Sequence, residues 1–187
     1  MRKDSVSPWL ICVFLTHALL TVVTPVLGQS ETLDPTKSDY YVKRGLAFME
    51  KGQTSEAIAD FTAALEIKPG SITALSQRAR AFFFTGQASR SMDDLNRAIR
   101  QVPSNADLFK LRADILSTSG DFENAIKDYN KAISLSPYTA AAYNNRAVAL
   151  ANLNKAKEAV EDLNTAMELS ITKPSSPAPS VFQGSQW

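Results

Sequence analysis

The stretch KDYNKAISLSP, residues 127–137, reads as the amphipathic end of a helix closed by a proline. It has two relatives in the same chain, ADFTAALEIKP at 59–69 and DDLNRAIRQVP at 93–103, each 34 residues from the next. Self-similarity at a fixed period marks one supersecondary unit that is stacked in series, because a single copy cannot bury its own apolar face. The period is carried by other positions as well. Gly52, Gly86, Gly120 and Asn154 recur on it, each at the end of a helical pattern. Glycine takes positive φ without strain and asparagine tolerates it best among the rest, so these four predict helix C-terminal stops.

A second series, Ser71, Asn105 and Thr139, lies two residues after Pro69, Pro103 and Pro137 and just before an apolar-periodic run. Side-chain oxygens of these types satisfy the first free N–H groups of a helix, which predicts starts. Each unit is therefore a helix, a tight turn, a second helix and a proline-bounded link. In the second helices Ala57, Phe61 and Ala64 align with Ser91, Leu95 and Ala98, with Ala125, Tyr129 and Ala132, and with Ala159, Leu163 and Ala166. Spacings of four and three put each trio on one face, and small residues flanking a large one allow close helix approach.

With these residues the chain resembles a tetratricopeptide repeat protein. The family's first-helix pattern of aromatic, Leu, Gly and aromatic falls on Tyr41, Arg44, Gly45 and Phe48, then on Leu75, Arg78, Ala79 and Phe82. It falls again on Phe109, Arg112, Ala113 and Leu116, and on Tyr143, Arg146, Ala147 and Leu150. The resemblance implies an all-α, right-handed α-solenoid of about four helix-turn-helix units. Their bounds are read as 38–71, 72–105, 106–139 and 140–173, after a segment at 1–28 and a linker at 29–37, with a Pro/Ser-rich tail at 174–187.

One departure occurs in every unit. Arg44, Arg78, Arg112 and Arg146 stand where the family usually has Leu, and Asp60, Asp94, Asp128 and Asp162 follow sixteen residues after each. A ligand-binding charge ladder and a structural ion pair between helices both account for this. Repetition in all four units is what structure demands, whereas a binding site needs units that differ, so the ion pair is the expectation.

The first 28 residues have the order of a secretory signal: Met1-Arg2-Lys3, an apolar run, then Val26 and Gly28 before Gln29. The competing reading is a retained membrane anchor, since Trp9 to Gly28 approaches the roughly 20 residues that span a bilayer. Pro25 and Gly28 favour cleavage, which would put the array in a periplasm or a secretory compartment. None of the nine Asn residues sits in an Asn-x-Ser/Thr acceptor, which leans toward the periplasm.

Loss of this segment takes with it Cys12 and His17, the only Cys and the only His in the chain. Cysteine nucleophiles, Cys/His zinc sites and Ser-His-Asp triads are excluded from the remainder by inventory. Removing Arg2, Lys3 and Asp4 from 20 basic and 19 acidic residues leaves 18 of each, so no field draws the array toward nucleic acid or an anionic surface. The reading is a non-enzymatic module with no cofactor and no nucleic-acid partner, an adaptor or scaffold that holds a peptide or protein segment in its concave groove. It touches a membrane only if residues 1–28 stay attached. An alternative is a self-associating assembly subunit that uses the last helix, which carries Val160, Leu163 and Met167 with no capping helix evident after it. A small-ligand carrier or enzyme is the remote alternative.

What the resemblance implies about the groove is that first helices line it. Its facing residues are then Val42, Leu46 and Met49 in unit one, and Ser76, Arg80, Phe83 and Phe84 in unit two. Lys110, Asp114 and Ser117 follow in unit three, and Asn144, Val148 and Asn152 in unit four. Three adjacent rings at 82–84 point about 100° apart on a helix and cannot share one core. Phe82 takes the core slot. In one reading Phe83 wedges between helices and Phe84 is half exposed. In the other, Phe83 and Phe84 join Leu46 and Met49 in a wet apolar patch that receives a partner's side chain, while Arg80, Lys110 and Asn144 hold its backbone or an acidic residue. A carboxylate clamp of the kind some family members use fails here, because Asp114 stands where an Asn is needed beside Lys110 and Asn145.

Overall fold

The computed structural model describes residues 37–172; the segment read as a signal or anchor and the tail lie outside the described residues. Eight helices follow in order: α1 Ser38–Glu50, α2 Thr54–Ile67, α3 Ile72–Phe84, α4 Ala88–Gln101, α5 Ala106–Thr118, α6 Phe122–Leu135, α7 Ala140–Asn152 and α8 Ala156–Thr172. Each helix packs on the next in sequence, and the first helices also meet one another, α1 with α3 and α5 with α7. This is an all-α solenoid.

The turns follow from the predicted stops. Gly52, Gly86 and Gly120 have φ of 73°, 75° and 85°, and Asn154 has φ of 59°. Behind each, the next N–H reaches back across the helix end: Gln53 to Phe48 O at 2.9 Å, Gln87 to Phe82 O at 2.8 Å, Asp121 to Leu116 O at 2.9 Å and Lys155 to Leu150 O at 3.0 Å. These bonds, with Gly52 N–H on Met49 O and its equivalents, close a left-handed C-terminal cap that satisfies the orphan carbonyls. The starts divide. Ser71 accepts from the Ala74 N–H and Asn105 from those of Asp107 and Leu108. Thr139 departs from expectation: it occupies the cap position of α7 without capping it, because its hydroxyl is engaged with Ser136 Oγ at 2.9 Å.

The core is a repeated interlock. Phe61, Leu95 and Tyr129 on the second helices are fully buried, each contributing roughly 1.5 to 3 kcal/mol. Each meets a first-helix residue of the following unit: Ala81 on Phe61, Ile115 on Leu95 and Ala149 on Tyr129. Gly45 permits the closest approach, since a Cβ there would lie 2.7 Å from the Phe61 ring. The fourth unit has no following helix among the described residues, and its equivalent Leu163 is 46% exposed. Ile171 replaces the proline of earlier units, and α8 runs on for 17 residues where α2, α4 and α6 have 14.

Candidate partner-binding groove

The Arg and Asp series form one structural device. In each unit the guanidinium grips the Asp of its own second helix with two bonds. Arg78 donates from Nε and Nη2 to Asp94 at 2.7 and 2.8 Å, Arg112 to Asp128 at 2.6 and 2.7 Å, and Arg146 to Asp162 at 2.7 and 2.6 Å. Arg44 does the same to Asp60 at 2.7 and 2.6 Å. All four carboxylates are buried. Such fork-on-fork pairing satisfies a buried carboxylate better than a single-point contact. The third nitrogen ties units together: Nη1 of Arg78 donates to Thr62 at 3.0 Å, that of Arg112 to Asn96 at 2.6 Å and that of Arg146 to Asn130 at 2.6 Å. The hydrogen bond to Asp162 is the main influence raising the Arg146 pKa, so the cation is fixed at every accessible pH. The ladder belongs to the scaffold and leaves no guanidinium of these three free for a ligand.

Residues that differ between units stand on the first-helix side, which the family's architecture makes the inner face. Between α3 and α5 lies a cleft of about 520 Å³ whose lining includes Ser76, Gln77, Arg80, Lys110, Leu111 and Asp114. Arg80 is exposed there. Lys110 is tied by Nζ to Asp114 Oδ2 at 2.8 Å. Asp114 is the hub of a wider cluster, accepting at Oδ1 from the Tyr129 hydroxyl and from Asn145 Nδ2, each at 2.8 Å. Burial first, and the bond to Asp114 second, push the Tyr129 phenol well above its ordinary pKa and keep it a donor. Lys110 and Asn145, the two clamp-like residues, are therefore brought together on a carboxylate of the chain itself.

The other expected groove residues are placed as follows. Leu46 and Met49 pack against Ala57, Phe61 and Ala81, and Phe83 packs against Ala79, Leu95 and Ile115 beside Met92 and Leu111. All three are partly buried. Phe84 is 66% exposed, its ring 6.3 Å from that of Phe83. Val42, expected on the groove, is buried with Ala64, Leu65 and Leu75 because α2 and α3 close over that side of α1. Asn144 is the register equivalent of Ser76 and lines a second cleft with Leu163, Ala166, Met167 and Ser170 at the end of the array. The Asp114–Tyr129 link has one sequence signal, that Asp114 and Tyr129 are the acidic and hydroxyl-bearing members of otherwise variable series.

Three family models match the chain: a tetratricopeptide repeat over residues 48–115, a TPR repeat over 113–154 and a tetratricopeptide repeat over 140–170. The chain belongs to the tetratricopeptide repeat family. This fold class serves as a protein-interaction module and generally carries no catalysis. Among solved structures, a crystal structure of MamA is similar at 26% identity and a TM-score of 0.69, over 75% of this chain and 82% of that one. MamA from Desulfovibrio magneticus is similar at 20% identity and a TM-score of 0.67, over 78% and 80%. PilF of Pseudomonas aeruginosa is similar at 23% identity and a TM-score of 0.67, over 74% and 63%. No curated protein matches the sequence. Among the described residues, no helix is long and apolar enough to cross a membrane.

Proposed function

We propose that the chain is an exported adaptor that holds an extended segment of a partner protein in the cleft between α3 and α5. The observation that carries this is the contrast within the inner face. The Arg ladder is consumed by the scaffold, whereas Arg80 stands exposed over a cleft whose residues change from unit to unit. Arg80 supplies a cation for an acidic side chain or a backbone carbonyl of the partner. Lys110, half neutralised by Asp114, offers a hydrogen-bond donor beside it. Ile72, Leu108 and Leu111 supply the apolar lining of the cleft. Leu46, Met49 and Phe83 stay packed against the core outside that lining, Phe84 offers an open ring, and Asn144 extends the register of Ser76 and Lys110 toward the last unit.

The test is binding of a partner co-purified from the native host to Arg80→Glu. Loss of about tenfold or more in affinity, with melting unchanged, is the expected result. Full affinity in the folded variant removes the cleft from the account. Export rests on the basic start, apolar run and Gly28 of residues 1–28. Mass spectrometry of the purified chain is expected to find Gln29 at the N-terminus, and an intact Met1 speaks for an anchor.

A further inference from the structure

The two ends of the array are halves of the interface that recurs inside it. Each internal junction has an apolar pair and a polar pair. The apolar pair sets a large second-helix residue against a first-helix residue of the following unit: Phe61 with Ala81, Leu95 with Ile115, Tyr129 with Ala149. The polar pair sets an amide or hydroxyl oxygen of the preceding second helix against an Arg Nη1: Thr62 with Arg78, Asn96 with Arg112, Asn130 with Arg146.

Thirty-four residues further on, the same second-helix positions are Leu163 and Asn164, both exposed, and Met167 beside them is 58% exposed. Thirty-four residues earlier, the same first-helix positions are Ala47, also exposed, and Arg44. Arg44 keeps its grip on Asp60, but its Nη1 turns to Tyr40 Oη of its own helix at 3.1 Å. Among the described residues, the C-terminal end thus lacks an Arg and a small first-helix residue. The N-terminal end has both, and among the described residues lacks an Asn and a large apolar residue.

We propose that the occupant of the α8 face is α1 of a second copy, so that Leu163 seats on the partner copy's Ala47 and Asn164 accepts from its Arg44. A tail-to-tail dimer would cover Leu163 and Met167 but offer Asn164 no guanidinium, the partner that Thr62, Asn96 and Asn130 each have at the internal junctions. The head-to-tail junction satisfies every group in the manner of the three internal ones. It is heterologous, so each added copy leaves a fresh end, and assembly continues unless a ring closes. The cleft holding Asn144 would then be walled on its open side by the next copy, extending the inner face across the junction. This inference stands apart from what the groove binds.

The experiment is sedimentation velocity over a concentration series on the chain as purified from its host, with two blocking variants. Leu163→Lys/Met167→Lys blocks the tail and Ala47→Arg blocks the head. Both change exposed positions, and circular dichroism with thermal melting checks that each remains folded. Wild type is expected to grow beyond a dimer with concentration, and each variant alone to stay monomeric. An equimolar mixture is expected to form a dimer and stop, because one variant keeps only its head and the other only its tail. Self-association of Ala47→Arg alone indicates a tail-to-tail contact and overturns the proposal. So does association that survives the tail variant, a mixture that stays monomeric, or a wild type that is monomeric at every concentration.

Discussion

Leu95 and Leu163 are the same residue at the same place in the repeat, on α4 and α8, yet one is fully buried and the other nearly half exposed. The difference does not come from their own helices. It comes from Ile115 on α5, which covers Leu95 and has no counterpart over Leu163 among the described residues. A repeat unit therefore encodes half of an interface, and stability depends on the neighbour as much as on the unit itself.

The largest expected effect sharpens this contrast. Leu95→Ala opens a cavity in a closed interface and is expected to cost about 3 kcal/mol, whereas Leu163→Ala is expected to cost less than about 1 kcal/mol. Urea denaturation of both at a concentration where the chain is monomeric measures the gap. Equal costs would break the comparison.

Next comes the Arg ladder. Arg112→Ala leaves buried Asp128 without its bidentate partner and Asn96 without its donor, an expected loss of about 2 kcal/mol. Arg44→Ala removes a more exposed side chain whose Nη1 bonds Tyr40 of its own helix, with no preceding unit among the described residues, and a smaller shift in melting is expected. A double-mutant cycle of Arg112 with Asn96 separates the inter-unit bond from the ion pair, and zero coupling there would reduce the ladder to a series of isolated salt bridges.

A smaller effect has the opposite sign. Ser91 is fully buried at the position where the other units have Ala57, Ala125 and Ala159, and its hydroxyl finds no partner among the described residues. Ser91→Ala is expected to stabilise by about 1 kcal/mol. A lower melting temperature would mean that the hydroxyl is satisfied after all. Phe84→Ala closes the order, with no change in stability expected because the ring is exposed.

The sequence made the scaffold legible because the scaffold is periodic. Positive φ at Gly52, Gly86, Gly120 and Asn154 could be read from spacing alone, and so could the buried trios of α2, α4 and α6; the fourth trio departs at Leu163, which no following helix among the described residues covers. The Arg and Asp series announced an ion pair, but not the direction of the third nitrogen. That direction depends on how one unit sits against the last, which no local pattern encodes. Groove chemistry was less legible for the same reason. Asp114 stands one turn from Lys110 in the sequence, but that Tyr129 and Asn145 converge on the same carboxylate depends on packing between helices, as does the covering of Val42 by α2 and α3. Adjacent rings at Phe83 and Phe84 differ only in rotation about one helix. The helix pitch separates them, and the neighbouring α4 and α5 decide which one is covered.

The most direct test of the central claim, that the inner face binds a protein segment, is site-specific photo-crosslinking in the native host. One crosslinker replaces Ser76, which lines the α3–α5 cleft, and a control replaces Asn124, exposed on a second helix. A discrete adduct from position 76 and none from position 124 is the predicted result, and an adduct from position 124 with none from 76 would contradict the account.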